Sequence, residues 1–344
     1  MVLANGNTTQ KYILYKEVLG IDINSPPMLD LQSHILQLKE VQKLLKTQNN
    51  DGWFGYGLHG GGGFDGIVGR LKDLGVEAYH PFMQKAKQAL LLDKNPFLQI
   101  AEARAGWPPV ENFCQPRAFV LASLFIGDDD DRLLLKFQDH LIDKFVAARK
   151  IESLDEISRE LTAKRFTQTA GWKWHPDTEA RVYKKDWSDS FPCVSDIFVL
   201  SACLNWKNSR TAELINESIR HVASFAPVPI LFGQGNVRPV ATYEMLDYSI
   251  DCSHIQAQAG WWLRDYYCLC KVCDAAQIYH YYQQVERLAE LTAGNSLIDY
   301  LSEKALRAIE TCYGYSGAWK SEIQKMTDIY FRVLLILHLA EIDF

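Results

Sequence analysis

Apolar positions in this chain recur three and four residues apart, while sustained alternation of apolar and polar residues is nearly absent. The first spacing lays side chains along one stripe of a helix, whereas a half-buried strand needs the second. Leu29, Leu31, Ile35, Leu36, Leu38, Val41, Leu44 and Leu45 form one broad stripe over residues 28–46, with Pro26-Pro27 expected to bar helix before it. Further helices are predicted over 63–74 and 80–92. Gly75 stands where a left-handed cap belongs, and Pro81 in a first turn that tolerates its missing N–H. Later helices are predicted over 116–126, 129–148, 154–163, 195–206, 209–225, 255–273, 275–293, 296–312 and 325–341. The pattern is that of an all-α protein.

Several of these helices resemble one another. Phe64-Asp65-Gly66-Ile67-Val68, Ser195-Asp196-Ile197-Phe198-Val199 and Thr327-Asp328-Ile329-Tyr330-Phe331 each open with an acid and then turn almost wholly apolar or small. An acid in the first turn satisfies orphan N–H groups and opposes the macrodipole. An apolar sequence all round marks a helix buried on most sides. Pro116-Arg117-Ala118-Phe119-Val120 joins the set with arginine in place of the acid. A repeat of about 66 residues, one buried helix with one amphipathic helix, predicts concentric inner and outer rings. Residues 1–27 are expected as a loosely ordered lead-in to a single domain over 28–344.

Glycine- and tryptophan-rich connectors lie between the helices. The clearest is Gln48-Asn49-Asn50-Asp51-Gly52-Trp53-Phe54-Gly55, directly after Leu44-Leu45; Gly314-Tyr315-Ser316-Gly317-Ala318-Trp319 and Gly171-Trp172-Lys173-Trp174 are weaker copies. Asn or Asp followed by Gly is turn chemistry in its own right. The first segment resembles the glutamine–tryptophan turn of the squalene-cyclase and protein-prenyltransferase repeat family. In that family Gln caps an outer helix, Gly makes the turn, and Trp stacks on the Gln side chain. The resemblance implies an (α/α) toroid of five or six helical hairpins, with ligands in a central cavity near the N-terminal ends of the inner helices. A different (α/α) barrel, of the kind many carbohydrate enzymes use, is the alternative.

Charge narrows the partners. With 36 basic and 42 acidic residues the formal net charge is −6, and no basic stripe exists to meet the phosphates of nucleic acid. The start, MVLANGNTTQKY, has neither a basic region nor an apolar core, and the most apolar stretch, 330–340, holds Arg332 and His338 and is too short to span a bilayer. Cys203, Cys268, Cys270, Cys273 and Cys312 have aromatic or aliphatic neighbours, as buried free thiols do. Reducing cytoplasm is therefore the expected location.

Candidate chemistry gathers at six places. The run Asp128-Asp129-Asp130-Asp131 matches the Asp-x-Asp-Asp motif of class II terpene cyclases in letters, but it follows one buried helix and opens an amphipathic one, as a solvated helix start does. Pro192-Cys193-Val194-Ser195-Asp196 opens an inner helix as the cyclase motif does. In that register Cys193 takes the first acid position, Ser195 the central one and Asp196 the last, so the central proton donor is missing; a simple N-cap is the competing role for Asp196. Asp251-Cys252-Ser253-His254 holds the ligand types of the prenyltransferase zinc without its spacing, since adjacent helical residues point about 100° apart. Cys270 and Cys273 form a Cys-x-x-Cys pair inside an apolar run with no second pair. The glycine-rich run from His59 to Gly63 could cradle an anion, but it lacks a P-loop lysine and adjoins Asp65.

The densest aromatic collection is Trp172, Trp174, His175, Asp177, Glu179, Tyr183 and Trp187 in one connector. Such rings suit an apolar, cationic or sugar ligand, or the core of a lid. His175 with a neighbouring acid could serve as an acid–base pair.

The function expected from these features is a terpene-cyclase-like or prenyltransferase-like protein that binds an apolar, isoprenoid-like small molecule. Cyclase, lyase or isomerase chemistry is the class to test. The alternatives are a carbohydrate-active (α/α) barrel enzyme of hydrolase or lyase type and a non-catalytic helical-repeat binding module. Asp196, Asp65 and His175 are the candidate catalytic residues. Trp172, Trp174, Trp187, Arg117, Cys193, Trp261 and Asp328 are the candidate substrate contacts. No metal ligand set and no cofactor are expected, with magnesium and zinc left open.

Overall fold

The structure, a computed structural model, describes residues 2–57, 62–90, 132–160, 180–183, 192, 194–224, 230–232, 263–264, 266–274, 279–313 and 319–342. These residues are mostly helical. The helices are Val2–Asn5 (α1), Thr8–Glu17 (α2), Pro26–Leu36 (α3), Lys39–Leu45 (α4), Phe64–Asp73 (α5), Pro81–Leu90 (α6), Arg132–Ala148 (α7) and Leu154–Ile157 (α8). Next come Val194–Ala202 (α9), Ser209–Ala223 (α10) and residues 266–272 (α11). Tyr279–Ala293 (α12), Leu297–Tyr300 (α13), Glu303–Tyr313 (α14) and Glu322–Leu339 (α15) complete the order. Three short strands, Ser158–Glu160 (β1), Ala180–Tyr183 (β2) and Ile230–Phe232 (β3), join as a small sheet in the order β1-β2-β3, antiparallel then parallel.

The long helices fall close to the predicted spans, with differences at three places. The first predicted helix begins two residues early, because Pro26 and Pro27 occupy the first turn, whose N–H groups have no helical partner to lose. It then divides: Leu38 is extended at the start of α4, and the Gln42 side chain donates to Leu36 O at 2.6 Å to satisfy the carbonyl freed by the break. The helix predicted over 154–163 stops at Ile157, where β1 takes over by pairing with a strand more than twenty residues later. That pairing is tertiary and leaves no local signal.

The segment expected as a loosely ordered lead-in instead carries α1 and α2. Asn7 caps α2 through a capping box with Gln10, and Tyr12 and Leu14 lie in the main apolar cluster. Thr9 Oγ1 donates to Leu74 O at 3.0 Å and Tyr12 OH to Glu77 at 2.8 Å, so α2 is fastened to the turn after α5. It also packs on α3 and α15, while α1 packs on α15. The N-terminal and C-terminal segments are thus neighbours.

Elsewhere α7 packs on α9 and α10, and α12 on α15. The core is one cluster that runs through α2, α5, α9, α11 and α15, with Phe64, Val68, Leu71, Val199, Leu200, Leu269 and Phe331 fully covered. Helices α5, α9 and α15 each carry a buried run after their acid, as their composition predicts. Asp65 and Asp196 stand in the first turns of α5 and α9 as expected. Asp328 does not: α15 begins at Glu322, capped by Ser321, and Asp328 lies in its second turn. The start signal is Ser321-x-x-Gln324, in which Ser321 Oγ accepts from Gln324 N at 3.2 Å and Gln324 accepts from Lys320 N at 2.7 Å.

The Gln48–Gly55 turn is closed by main-chain bonds. Asn49 N donates to Trp53 O at 2.8 Å, Gly52 N donates to Asn49 O at 3.0 Å, and Gln48 forms an antiparallel bridge with Phe54. Gln48 Nε2 donates to Gly52 O at 2.9 Å and to Phe82 O at 2.8 Å, which ties the end of α4 to the start of α6. The Trp53 ring packs on Phe64, the first residue of α5, with centroids 4.3 Å apart. Gly52 has φ +97°, and a Cβ there would meet Lys85 O at 2.5 Å. Gly52→Ala is therefore expected to destabilise the protein by about 1–3 kcal/mol, read as a lower urea midpoint at unchanged slope.

Candidate functional site

Three of the candidate site residues lie among the described residues, and each has its own partner. Asp65 is buried, and its Oδ1 accepts from Gly66 N at 2.7 Å within the first turn of α5. Asp196 is fully buried and meets the Lys144 ammonium of α7 at 2.7 Å; that lysine side chain is itself 4% exposed. Gln138, on the same helix as Lys144, donates to Cys203 O at 2.8 Å, so α7 grips α9 at both ends. Asp328 is also fully buried. It accepts from Gln10 Nε2 at 3.2 Å and from Trp319 Nε1 at 3.0 Å, with the Arg332 guanidinium 3.8 Å away. Gln10 does double duty, because its Oε1 caps α2 by accepting from Asn7 N at 2.9 Å.

These are the surroundings of structural carboxylates. A buried charge without a partner is so unfavourable that folding supplies donors to it. Asp196 and Asp328 hold helices to one another through those donors. The remaining candidates, His175, Trp172, Trp174, Trp187, Arg117, Cys193 and Trp261, lie outside the described residues. So do the helix over 116–126, Asp128–Asp131, the residues 251–254 and most of the glycine-rich loop before α5. Within the segment read from sequence as an aromatic connector between helices, 180–183 form β2, the central strand of the small sheet.

The Cys-x-x-Cys pair behaves as core. Cys270 and Cys273 are buried at the end of α11, and Cys273 Sγ donates to Leu269 O at 3.3 Å. Burial pushes the Cys270 thiol up to about 12 and the Cys273 thiol well above its ordinary value, with the nearby thiols Cys268 and Cys270 adding to the effect. Both therefore stay protonated at neutral pH, as unreactive core thiols do. At pH 8 neither should react with iodoacetamide in the native protein, and both should after denaturation; rapid native labelling at either would contradict their burial. Among the described residues no group of three His, Cys, Asp or Glu side chains is placed to hold a metal ion, and no helix is long and apolar enough to cross a membrane.

A polar cluster that sequence reading missed forms where the ends of α2 and α5 meet α11. Glu17 pairs with Lys271 at 2.9 Å and accepts from Tyr267 OH at 3.3 Å, while the Lys271 ammonium lies 4.7 Å over the Tyr267 ring. Lys16 pairs with Glu77 at 2.6 Å. Burial alone would raise the Glu17 carboxyl, but Lys271 and Lys16 outweigh it and hold the group below the usual carboxylate value. Next to them, crowding by protein and then repulsion from Lys271 and Lys16 lower the Lys72 ammonium, although part of that side chain reaches solvent. Burial raises the Asp73 carboxyl against the pull of Arg70, Arg264, Arg332 and Lys72. In sequence Lys16, Lys72 and Lys271 are ordinary cations in the last turns of separate helices, which complement the macrodipole. Only the fold brings them together.

No family model matches the chain, and neither curated proteins nor solved structures yield a match.

Proposed function

We propose that this chain is an (α/α) toroid of the squalene-cyclase and prenyltransferase type that holds an apolar, isoprenoid-like small molecule among its inner helices. The observation that carries this reading is the Gln48–Gly55 turn. Its glutamine bonds to the turn and to the next outer helix, its glycine adopts a left-handed backbone, and its tryptophan packs on the first residue of α5. The deeply buried α5, α9 and α15 are the inner helices of that arrangement, and α4 and α6 flank the turn as outer ones.

The state of the buried acids favours an apolar ligand over a sugar. Glycoside chemistry requires two carboxylates open to the substrate. Asp196 instead faces an ammonium at 2.7 Å, and Asp328 faces an indole N–H and an amide. The proposed role is binding. Protonation-initiated cyclisation by the 192–196 segment would lack its central acid, because Ser195 stands there.

The test is thermal unfolding of the purified protein with isoprenoids and with oligosaccharides. Isoprenoids should raise the midpoint, increasingly with the logarithm of their concentration above the dissociation constant, as any ligand that binds only the native state does. Stabilisation by oligosaccharides but not by isoprenoids would replace this reading with the carbohydrate one.

A further inference from the structure

Helix α15 is buried over its middle, residues 327–333 and 335–337, yet two hydroxyls there have nothing to bond among the described residues. Thr327 is 1% exposed and Tyr330 is 6% exposed. Neither Thr327 Oγ1 nor Tyr330 OH finds a hydrogen-bond partner among the described residues. Buried hydroxyls are almost always paired, and a helical threonine normally bonds the carbonyl one turn back. Thr292 and Ser218 do so in this protein, at 2.7 Å to Leu288 O and 2.6 Å to Leu214 O. Thr327 does not.

The two hydroxyls share one side of the helix, being three residues apart. The acid face, Asp328 and Arg332, points elsewhere and has its own partners. Leu334 lies on the Thr327 side. Between Thr327 and Leu337 it is the one residue that is not fully buried, so the covering of this side is incomplete there. Burial, and then the Asp299 carboxylate, push the Tyr330 phenol up, which keeps it protonated and a donor.

We infer that Thr327 and Tyr330 form the polar end of the ligand site and receive the hydroxyl of an isoprenoid alcohol, with the apolar tail along the Leu334 side. A hydroxyl satisfies both groups at once: its oxygen accepts from Tyr330 OH and its hydrogen is donated to Thr327 Oγ1. A hydrocarbon would leave both as unpaired as they are in the unliganded protein, so it forgoes the gain that an alcohol makes. The inference rests on the apolar-ligand reading and adds the chemical class of the ligand.

Farnesol and farnesene serve as probes, the first an alcohol and the second a hydrocarbon of the same chain length. Wild-type protein should bind farnesol at least about tenfold more tightly than farnesene. Thr327→Val with Tyr330→Phe should abolish that preference by weakening farnesol about tenfold, and should leave the unliganded thermal midpoint unchanged or raised. Equal wild-type affinity for the two probes would overturn the inference while the apolar-ligand reading stands. A lower unliganded midpoint in the variant would also overturn it, since the hydroxyls would then be bonded within the native protein, through water for instance. Binding of neither probe would remove both the inference and the reading beneath it. The wild-type comparison needs no variant, so poor folding of the double variant leaves it decisive, and Tyr330→Phe alone supplies the milder substitution.

Discussion

Asp196→Leu, with Lys144 left in place, is expected to destabilise the protein by about 3–5 kcal/mol. The pair is 2.7 Å apart with side chains 0% and 4% exposed, so the abandoned ammonium has little water to turn to. The companion variant decides the cause. In Lys144→Met with Asp196→Leu no charge remains to be buried without a partner, and apolar side chains of similar volume take the space. Most of the single-variant loss should therefore be recovered, which a double-mutant cycle of urea midpoints would show. A single-variant loss below about 1 kcal/mol would mean that solvent reaches the pair as it reaches a surface ion pair. A double variant as unstable as the single one would locate the damage in packing between α7 and α9 rather than in charge.

Asp328→Ala is the second large effect, of about 3–5 kcal/mol, because it strands several buried donors together. Gln10 Nε2, Trp319 Nε1 and the Arg332 guanidinium all face this carboxylate. Trp319→Phe removes a single indole bond while keeping an aromatic ring in place, and should lose about 1 kcal/mol. The difference between these variants measures how far Asp328 acts as a hub. A distinct signature follows from Gln10, which belongs to α2 and is more than three hundred residues away in the chain. Amide exchange over residues 8–17 should accelerate in Asp328→Ala beyond the change in global stability, as the N-terminal helix loses a buried anchor. Unchanged relative protection of α2 would show that Thr9, Tyr12 and Lys16 alone secure it.

The placement of Asp328 illustrates how far the chain could be read locally. The acid followed by an apolar run identified α5, α9 and α15 as buried helices, since an all-apolar surface has no other stable place. The same pattern put Asp328 at a helix start because Asp65 and Asp196 stand at theirs. A second start signal six residues earlier, Ser321 with Gln324, prevailed, because a cap satisfies orphan N–H groups wherever the preceding chain allows it. Asp328 is then carried into the interior, where an acid needs donors rather than a helix dipole. Arg332, one turn further along α15, is a local partner, but the hydrogen-bond donors come from α2 and from Trp319 ahead of the helix, which no local pattern could nominate.

The sequence by itself determined the helical class, the approximate spans of the long helices, the inwardness of α5, α9 and α15, and the turn at Gln48–Gly55. These depend on periodicity, capping and backbone preference, all of which act within a few residues. Only the tertiary structure decided the docking of α2 on both α5 and α15, the division of the first predicted helix, and the strand that ended the helix at Ile157. It alone paired Asp196 with Lys144, brought Lys16 and Lys271 to Glu17 with Lys72 near both lysines, and left the Thr327 and Tyr330 hydroxyls without partners. Each of these depends on which segments become neighbours after collapse. A buried polar atom is satisfied or orphaned by groups distant in the chain, and residue order carries no local mark of either outcome.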